Sequence, residues 1–178
     1  MSKISLSLHD KHLIETIKWN KKIAMKVQNN SNRNINEISE LLESFYPFAK
    51  ERMGFDKDPE VRFESDPKNA QYVLGKTAYY NPEDMTITIY VDGRHPKDIM
   101  RSLSHELVHH AQNCNGQFDQ GYATKEGYAQ EDDHLREMEK EAYLEGNMCF
   151  RDWEDGYKQS NPLQERKERL FYKLLRNI

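Results

Sequence analysis

Hydrophobic positions recur at helical spacing towards both ends of this sequence and alternate with polar ones in its middle. Over residues 10–28, Leu13, Ile17, Ile23, Ala24 and Val27 are separated by basic residues, a pattern that predicts an amphipathic helix. The run NNSNRN at 29–34 is a polar break rich in turn-forming side chains. A second helix is predicted over 35–53, where Ile38, Leu41, Leu42, Phe45, Phe48 and Ala49 share a side, with Pro47 expected to end or kink it. From residue 60 the period shortens. VRFE (61–64) alternates, and QYVLGKTAYY (71–80) and MTITIYVD (85–92) are rich in β-branched and tyrosine residues, so they read as two antiparallel strands turning at NPED (81–84).

Asp92-Gly93-Arg94 closes the sheet, and Pro96 suits the first position of a helix over about 96–113. Residues 114–132 are polar and glycine-containing, as in a loop. Helical spacing returns over 133–153 through Leu135, Met138, Ala142, Gly146, Cys149 and Trp153. Asp155-Gly156 should break that helix, and 162–178 reads as a terminal amphipathic helix. Helices, then strands, then helices argue for an α+β fold. The expected domain spans 1–178, with a helical N-terminal region (1–57), a core (58–155) and a C-terminal helix (160–178).

Composition narrows the class. Charged residues make up 31% and mean hydropathy is −0.99, so the core must be compact beneath a heavily charged surface. Aromatics at 11% supply the large groups that disordered chains lack. A net charge of −4 gives no electrostatic reason to expect a nucleic-acid partner. The opening MSKISLSLHDKHLIETIKWNKK does not resemble a signal peptide, and no run approaches the roughly 18 apolar residues that a membrane span needs, so an intracellular, membrane-free setting is expected. Cys114 and Cys149 lie far apart in no metal-like pair and are expected as free thiols.

The chemistry concentrates in RSLSHELVHHAQN, residues 101–113. On a helix, His105 and His109 project side by side, a natural clip for a divalent ion, while Ile99, Met100, Leu103, Leu107 and Ala111 form an apolar face opposite. Glu106 projects beside such an ion, where a carboxylate can take a proton from water. Two imidazoles, a carboxylate and a water make a catalytic zinc shell. Two histidines on a solvated helix are the bland alternative. The preceding strands and the glutamate-rich helix that follows favour the metal.

TITIYVDGRHPKDIMRSLSHELVHHAQN resembles the active-site region of zincin metallopeptidases of the small gluzincin kind. The resemblance covers roughly 60–153. It implies a small antiparallel or mixed sheet packed on the H-E-x-x-H helix, and a third ligand, a glutamate, from a later helix within the pattern E-x-x-A-D-x-x-A/G. Residues 139–146, EKEAYLEG, match at Glu139, Ala142 and Gly146, while Tyr143 stands where the family usually has the aspartate that orients a ligand histidine. Geometry also favours Glu139, which flanks the apolar face near Ala142. Glu141 remains the alternative ligand, because it directly precedes Ala142 and has Glu145 four residues on. Glu137 points almost away, and Asp132 and Asp133 are more remote.

The resemblance further implies an oxyanion donor near the metal, for which His134, Tyr143, Tyr122 and Tyr128 are candidates. His110 should be a buried or capping histidine, and His9, His12 and His95 surface or cap residues. The expected function is zinc-dependent hydrolysis of a peptide or protein with Glu106 as general base. An extended substrate would add along TAYY (77–80) or TITIY (86–90), and loop 114–132 would wall the cleft. Rival readings are a zinc domain acting on a non-peptide substrate, an inactive zinc-binding module, and an interaction module that binds no metal. Whether the N-terminal helices inhibit or merely support the core is open.

Overall fold

A computed structural model describes residues 25–72, 75–118 and 133–162. Among them lie four strands, β1 (Lys26–Asn29), β2 (Glu60–Glu64), β3 (Ala78–Asn81) and β4 (Thr86–Tyr90), and three α-helices, α1 (Asn36–Met53), α2 (Pro96–Cys114) and α3 (Asp133–Ser160). The strands form one mixed sheet in the order β1-β2-β4-β3, parallel except for the antiparallel β3–β4 pair. The architecture is α+β. No helix among the described residues is long and apolar enough to cross a membrane.

Register explains which face is buried. Val27, Val61, Ile87 and Tyr80 lie opposite one another across the sheet, and Phe63 opposite Ile89, so all share one face. That face joins Phe45 and Ala49 of α1 and Ile99, Leu103 and Leu107 of α2 in one core, with Val61, Phe63, Ile87 and Ile89 fully buried. Helix α2 lies on β3 and β4, and α1 and α3 pack against α2. The start of α2 is local chemistry: His95 Nδ1 accepts from Lys97 N at 3.2 Å, and Pro96 occupies the first turn. The end of α1 is Gly54 at φ 74°, whose N–H donates to the Lys50 carbonyl.

Several expectations are corrected. The helix expected over 10–28 gives way at 26–29 to strand β1, because Val27 gains burial against Val61 and the backbone gains the parallel ladder to β2; residues 10–24 lie outside the described residues. The expected strand 71–80 shrinks to Ala78–Asn81. Residues 69–71 instead form a 3₁₀ turn, and the Asn69 side chain takes the place of strand pairing, accepting from Lys76 N at 2.8 Å and donating to Lys76 O at 2.7 Å. The turn follows at 82–85, with Met85 at φ 55°.

Pro47 neither ends nor interrupts α1: it sits on the exposed side while Phe45, Tyr46 and Ala49 hold the helix to the core. Asp155-Gly156 does not break α3 either. A mid-helix glycine costs only about 1 kcal/mol. Against that, Trp153 packs edge-to-face on Phe45 (5.3 Å), lies against Tyr157 (5.0 Å) and donates from Nε1 to Ser44 Oγ at 3.1 Å. The terminal helix over 162–178 lies, beyond Pro162, outside the described residues.

Candidate metal centre

The site arises where α3 crosses α2 at close range. A Cβ on Gly146 would lie 3.0 Å from His105 Cα and 3.2 Å from the Ser104 carbonyl, so any larger residue would have to push the two backbones apart by a few tenths of an ångström. Ser104 Oγ, fully buried, donates to the Gly146 carbonyl at 2.7 Å and fastens the crossing. Two turns earlier on α3, Glu139 thereby reaches the histidine pair of α2.

His105 Nε2 and His109 Nε2 lie 3.2 Å apart, and Glu139 Oε1 and Oε2 lie 3.2 and 3.1 Å from them respectively. One ligand atom from each of His105, His109 and Glu139 falls within 4.8 Å of the others, a group that could hold a metal ion. The donor set fits such an ion. In a tetrahedral shell with bonds of about 2.0–2.1 Å, ligand atoms stand about 3.3–3.4 Å apart, close to the spacing seen.

Second contacts set the tautomer. His109 Nδ1 lies 2.8 Å from Gln112 Oε1, an acceptor, so Nδ1 carries a proton; Nε2 donates to Glu139 when the ring is charged and offers its lone pair to a metal when the ring is neutral. Gln112 is itself fixed, donating from Nε2 to the Met138 carbonyl at 3.0 Å and to Glu141 Oε2 at 2.9 Å. Glu141, the alternative ligand, therefore stands behind Gln112 and outside the triad. Gln112, and not the residue at position 143, is thus the side chain that hydrogen-bonds His109 from behind. Its signal was legible, since residues three apart on a helix are neighbours.

Electrostatics follow from these partners. Side-chain hydrogen bonds from His105 and His109 hold the Glu139 carboxyl far below the ordinary carboxylate range, against the effect of burial. Burial alone would lower the pKa of His109; the Glu139 hydrogen bond and the Glu106 charge outweigh it, and the net shift is upward. Glu106 is 7% exposed, and burial pushes its carboxyl up, opposed by His109, His105 and the backbone amide of Tyr80, which donates to it. A carboxyl so placed is suited to accept and return a proton.

His105, Glu106, His109, Glu139 and Tyr143 all line one cleft of 770 Å³, whose opposite wall is the segment from Lys76 to Asn81. The Tyr143 ring lies 4.7 Å from that of His105 and is largely exposed. His134 is not brought to the cleft: it is exposed, with Nε2 3.3 Å from the Gln117 carbonyl. Tyr122 and Tyr128 lie outside the described residues, as does loop 114–132 from residue 119 onward, although Phe118 lines the cleft. Of the two strands expected to receive substrate, TITIY is excluded as a docking edge because β4 is paired on both sides; β3 lies at one edge of the sheet, the other being β1. His95 caps α2, and Cys114 and Cys149 are free thiols.

His110 is fully buried and faces a separate network. Its Nδ1 lies 3.1 Å from Tyr80 Oη and its Nε2 2.8 Å from the Lys57 carbonyl, while Asn113 Nδ2 donates to Tyr80 Oη (2.8 Å) and the Pro82 carbonyl (3.0 Å). These contacts tie α2 to β3, the strand whose Tyr80 amide meets Glu106.

No family model, curated protein or solved structure matches the chain, and the chemistry of the site rests on its own geometry.

Proposed function

We propose that the protein is a zinc-dependent peptidase of zincin-like construction, with His105, His109 and Glu139 as ligands and Glu106 as general base. The observation that carries this reading is the convergence of the three ligand atoms within 4.8 Å, beside a buried carboxyl, in one cleft. Two imidazoles and a carboxylate are a zinc-type donor set that leaves a position open. Bound there, zinc would supply Lewis acidity, acidifying water and polarising a carbonyl.

The chain's residues do the rest. Glu106 takes the proton of the attacking water on its carboxylate and hands it to the leaving amine nitrogen. Its burial makes the protonated form accessible. Gln112 keeps His109 in the tautomer that presents Nε2. Tyr143, on the cleft wall, is the phenol available to donate to developing negative charge on the substrate oxygen. The edge strand β3 favours an extended peptide, which binds by continuing a sheet.

The test joins metal and activity. Protein purified without chelator should carry about one zinc per chain and hydrolyse unstructured peptides. Glu106→Gln should keep the zinc and lose hydrolysis by at least about a hundred-fold, the lower range for removing a general base. Undiminished turnover in that variant would overturn the mechanism.

A further inference from the structure

The cleft differs in charge along its length. Lys76, Arg101 and Ser102 line one end, whereas Asn81, Glu83 and Phe118 line the other. Two clamps fix this polarity. At the first end Arg94 donates to the Thr77 carbonyl (3.0 Å) and to Ser102 Oγ (2.7 Å), joining the approach to β3 to the first turns of α2. At the other, Asn113 donates to the Pro82 carbonyl and joins the β3–β4 turn to the end of α2.

The residues at the first end are arranged for an anion. Arg94 hydrogen-bonds the Thr77, Tyr90 and Asp98 carbonyls and the Ser102 hydroxyl, all of them neutral acceptors. Ser102 Oγ accepts from that guanidinium, so its own proton is directed away from Arg94 and can be donated. The Arg101 guanidinium rests 5.5 Å from the centre of the Phe150 ring, and Arg101 lines the cleft. Its carboxylate neighbour, Asp98 at 3.0 Å, forms with it a pair whose side chains are 52% and 53% exposed. Such a solvated pair is weak and leaves most of the guanidinium donors for another acceptor.

Arg101 stands four residues before His105, about 6 Å along the helix. An extended peptide advances roughly 3.3 Å per residue, so that end of the cleft faces a group within about two residues of the bond at the metal. We propose that Lys76, Arg101 and Ser102 form a subsite for a carboxylate of the substrate, supplied either by an acidic side chain or by a C-terminal carboxylate. The assignment rests on the peptidase reading for the identity of the substrate but not for the charge preference of the cleft.

The experiment uses the zinc-loaded full chain and one peptide scaffold carrying Glu, Gln or Lys within two residues on either side of the central bond. Each version has a free or an amidated C-terminus. Cleavage is measured as kcat/KM, and binding to the Glu106→Gln variant by fluorescence anisotropy. A charge-assisted hydrogen bond to a carboxylate predicts roughly 5- to 30-fold tighter binding of the anionic peptide than of its Gln counterpart. Arg101→Glu and Lys76→Glu should erase or reverse that preference, and Arg101→Gln should weaken it, each with unchanged zinc content. Preference for internal Glu identifies a side-chain subsite; preference for the free over the amidated terminus identifies a terminal carboxylate.

Equal binding of the Glu, Gln and amidated peptides overturns the subsite, as does a preference that survives both charge reversals. If charge-selective binding is present but the unmutated protein cleaves none of the peptides, the subsite stands and the peptidase reading falls.

Discussion

His109 and His110 are neighbours on one helix, both buried, yet they hold their protons on opposite nitrogens. His109 gives its Nδ1–H to Gln112 and turns Nε2 towards His105 and Glu139. His110 accepts at Nδ1 from the Tyr80 hydroxyl and gives its Nε2–H to the Lys57 carbonyl. The carboxylates around His109 raise its pKa against burial, whereas for His110 burial outweighs the Lys57 carbonyl and the charges of Asp58 and Asp56, and the pKa falls. The residue type is the same, and a turn of about 100° on the helix separates the two fates. What a buried histidine does is set by the partners that other elements bring to it. One of these rings is poised to hold a cation and the other is poised to stay neutral.

The sharpest way to break this contrast is to remove the carboxylate that distinguishes the two sides. Glu139→Ala deletes a direct bond and a balancing charge, so zinc affinity should fall by more than the ten- to hundred-fold typical of outer contacts. Glu141→Ala, which removes only an exposed acceptor of Gln112, should change it far less. Competition titration against a zinc chelator ranks the two. If Glu141→Ala alone releases the metal, the ligand is Glu141 and α3 must sit differently on α2.

Next in size is the tautomer itself. Gln112→Ala removes the acceptor at His109 Nδ1 without touching a ligand atom. Zinc affinity should drop roughly ten- to hundred-fold, and Gln112→Glu should restore most of it only when combined with Glu141→Gln, since the new carboxylate accepts the same proton but would otherwise face the Glu141 carboxylate to which the amide donated. Affinity within two-fold of the parent in Gln112→Ala would show that the His109 tautomer needs no such support.

How much of this could be read from residue order depends on how local each feature is. His105, Glu106 and His109 announce themselves because a single helix sets their spacing. Glu139 needed a second helix, yet its place beside Ala142 on an amphipathic pattern brought it within reach. Gly146 was legible as a position in the apolar row, but its closeness to the His105 backbone belongs to the crossing of two helices and has no local signature. The Tyr80 amide was beyond reach, since every strand residue carries the same N–H and only the sheet edge decides which one meets Glu106.

The fold divides the same way. Helices α1, α2 and most of α3 follow from periodicity. Strand β1 does not: KVQN offers one buried apolar residue, and its strand form exists because β2 presents an edge to it. Pro47 and Gly156 mislead for the complementary reason. Local propensity is worth at most a few kcal/mol at such sites, and the packing of Phe45, Tyr46 and Trp153 opposes it.

The smallest effect tests the neutral side. Burial pushes the Tyr80 phenol up to about 12, so at neutral pH it is protonated and donates to His110 while accepting from Asn113. Tyr80→Phe keeps the ring against His110 (5.5 Å) and keeps the backbone amide that meets Glu106, and removes only the hydroxyl. Asn113 retains the Pro82 carbonyl as a partner, and His110 retains that of Lys57. The cost should therefore be about 1–3 kcal/mol of unfolding free energy, the range for leaving a buried acceptor without its donor. Urea denaturation of the zinc-free and zinc-loaded forms measures it, and the loss should be the same in both. That equality is the point of the test, for it means that the hydroxyl stabilises the scaffold without touching the metal. A loss that grows in the zinc-loaded form, with zinc affinity down ten-fold or more, would mean that the two histidine networks act as one unit and that the separation drawn between them is wrong.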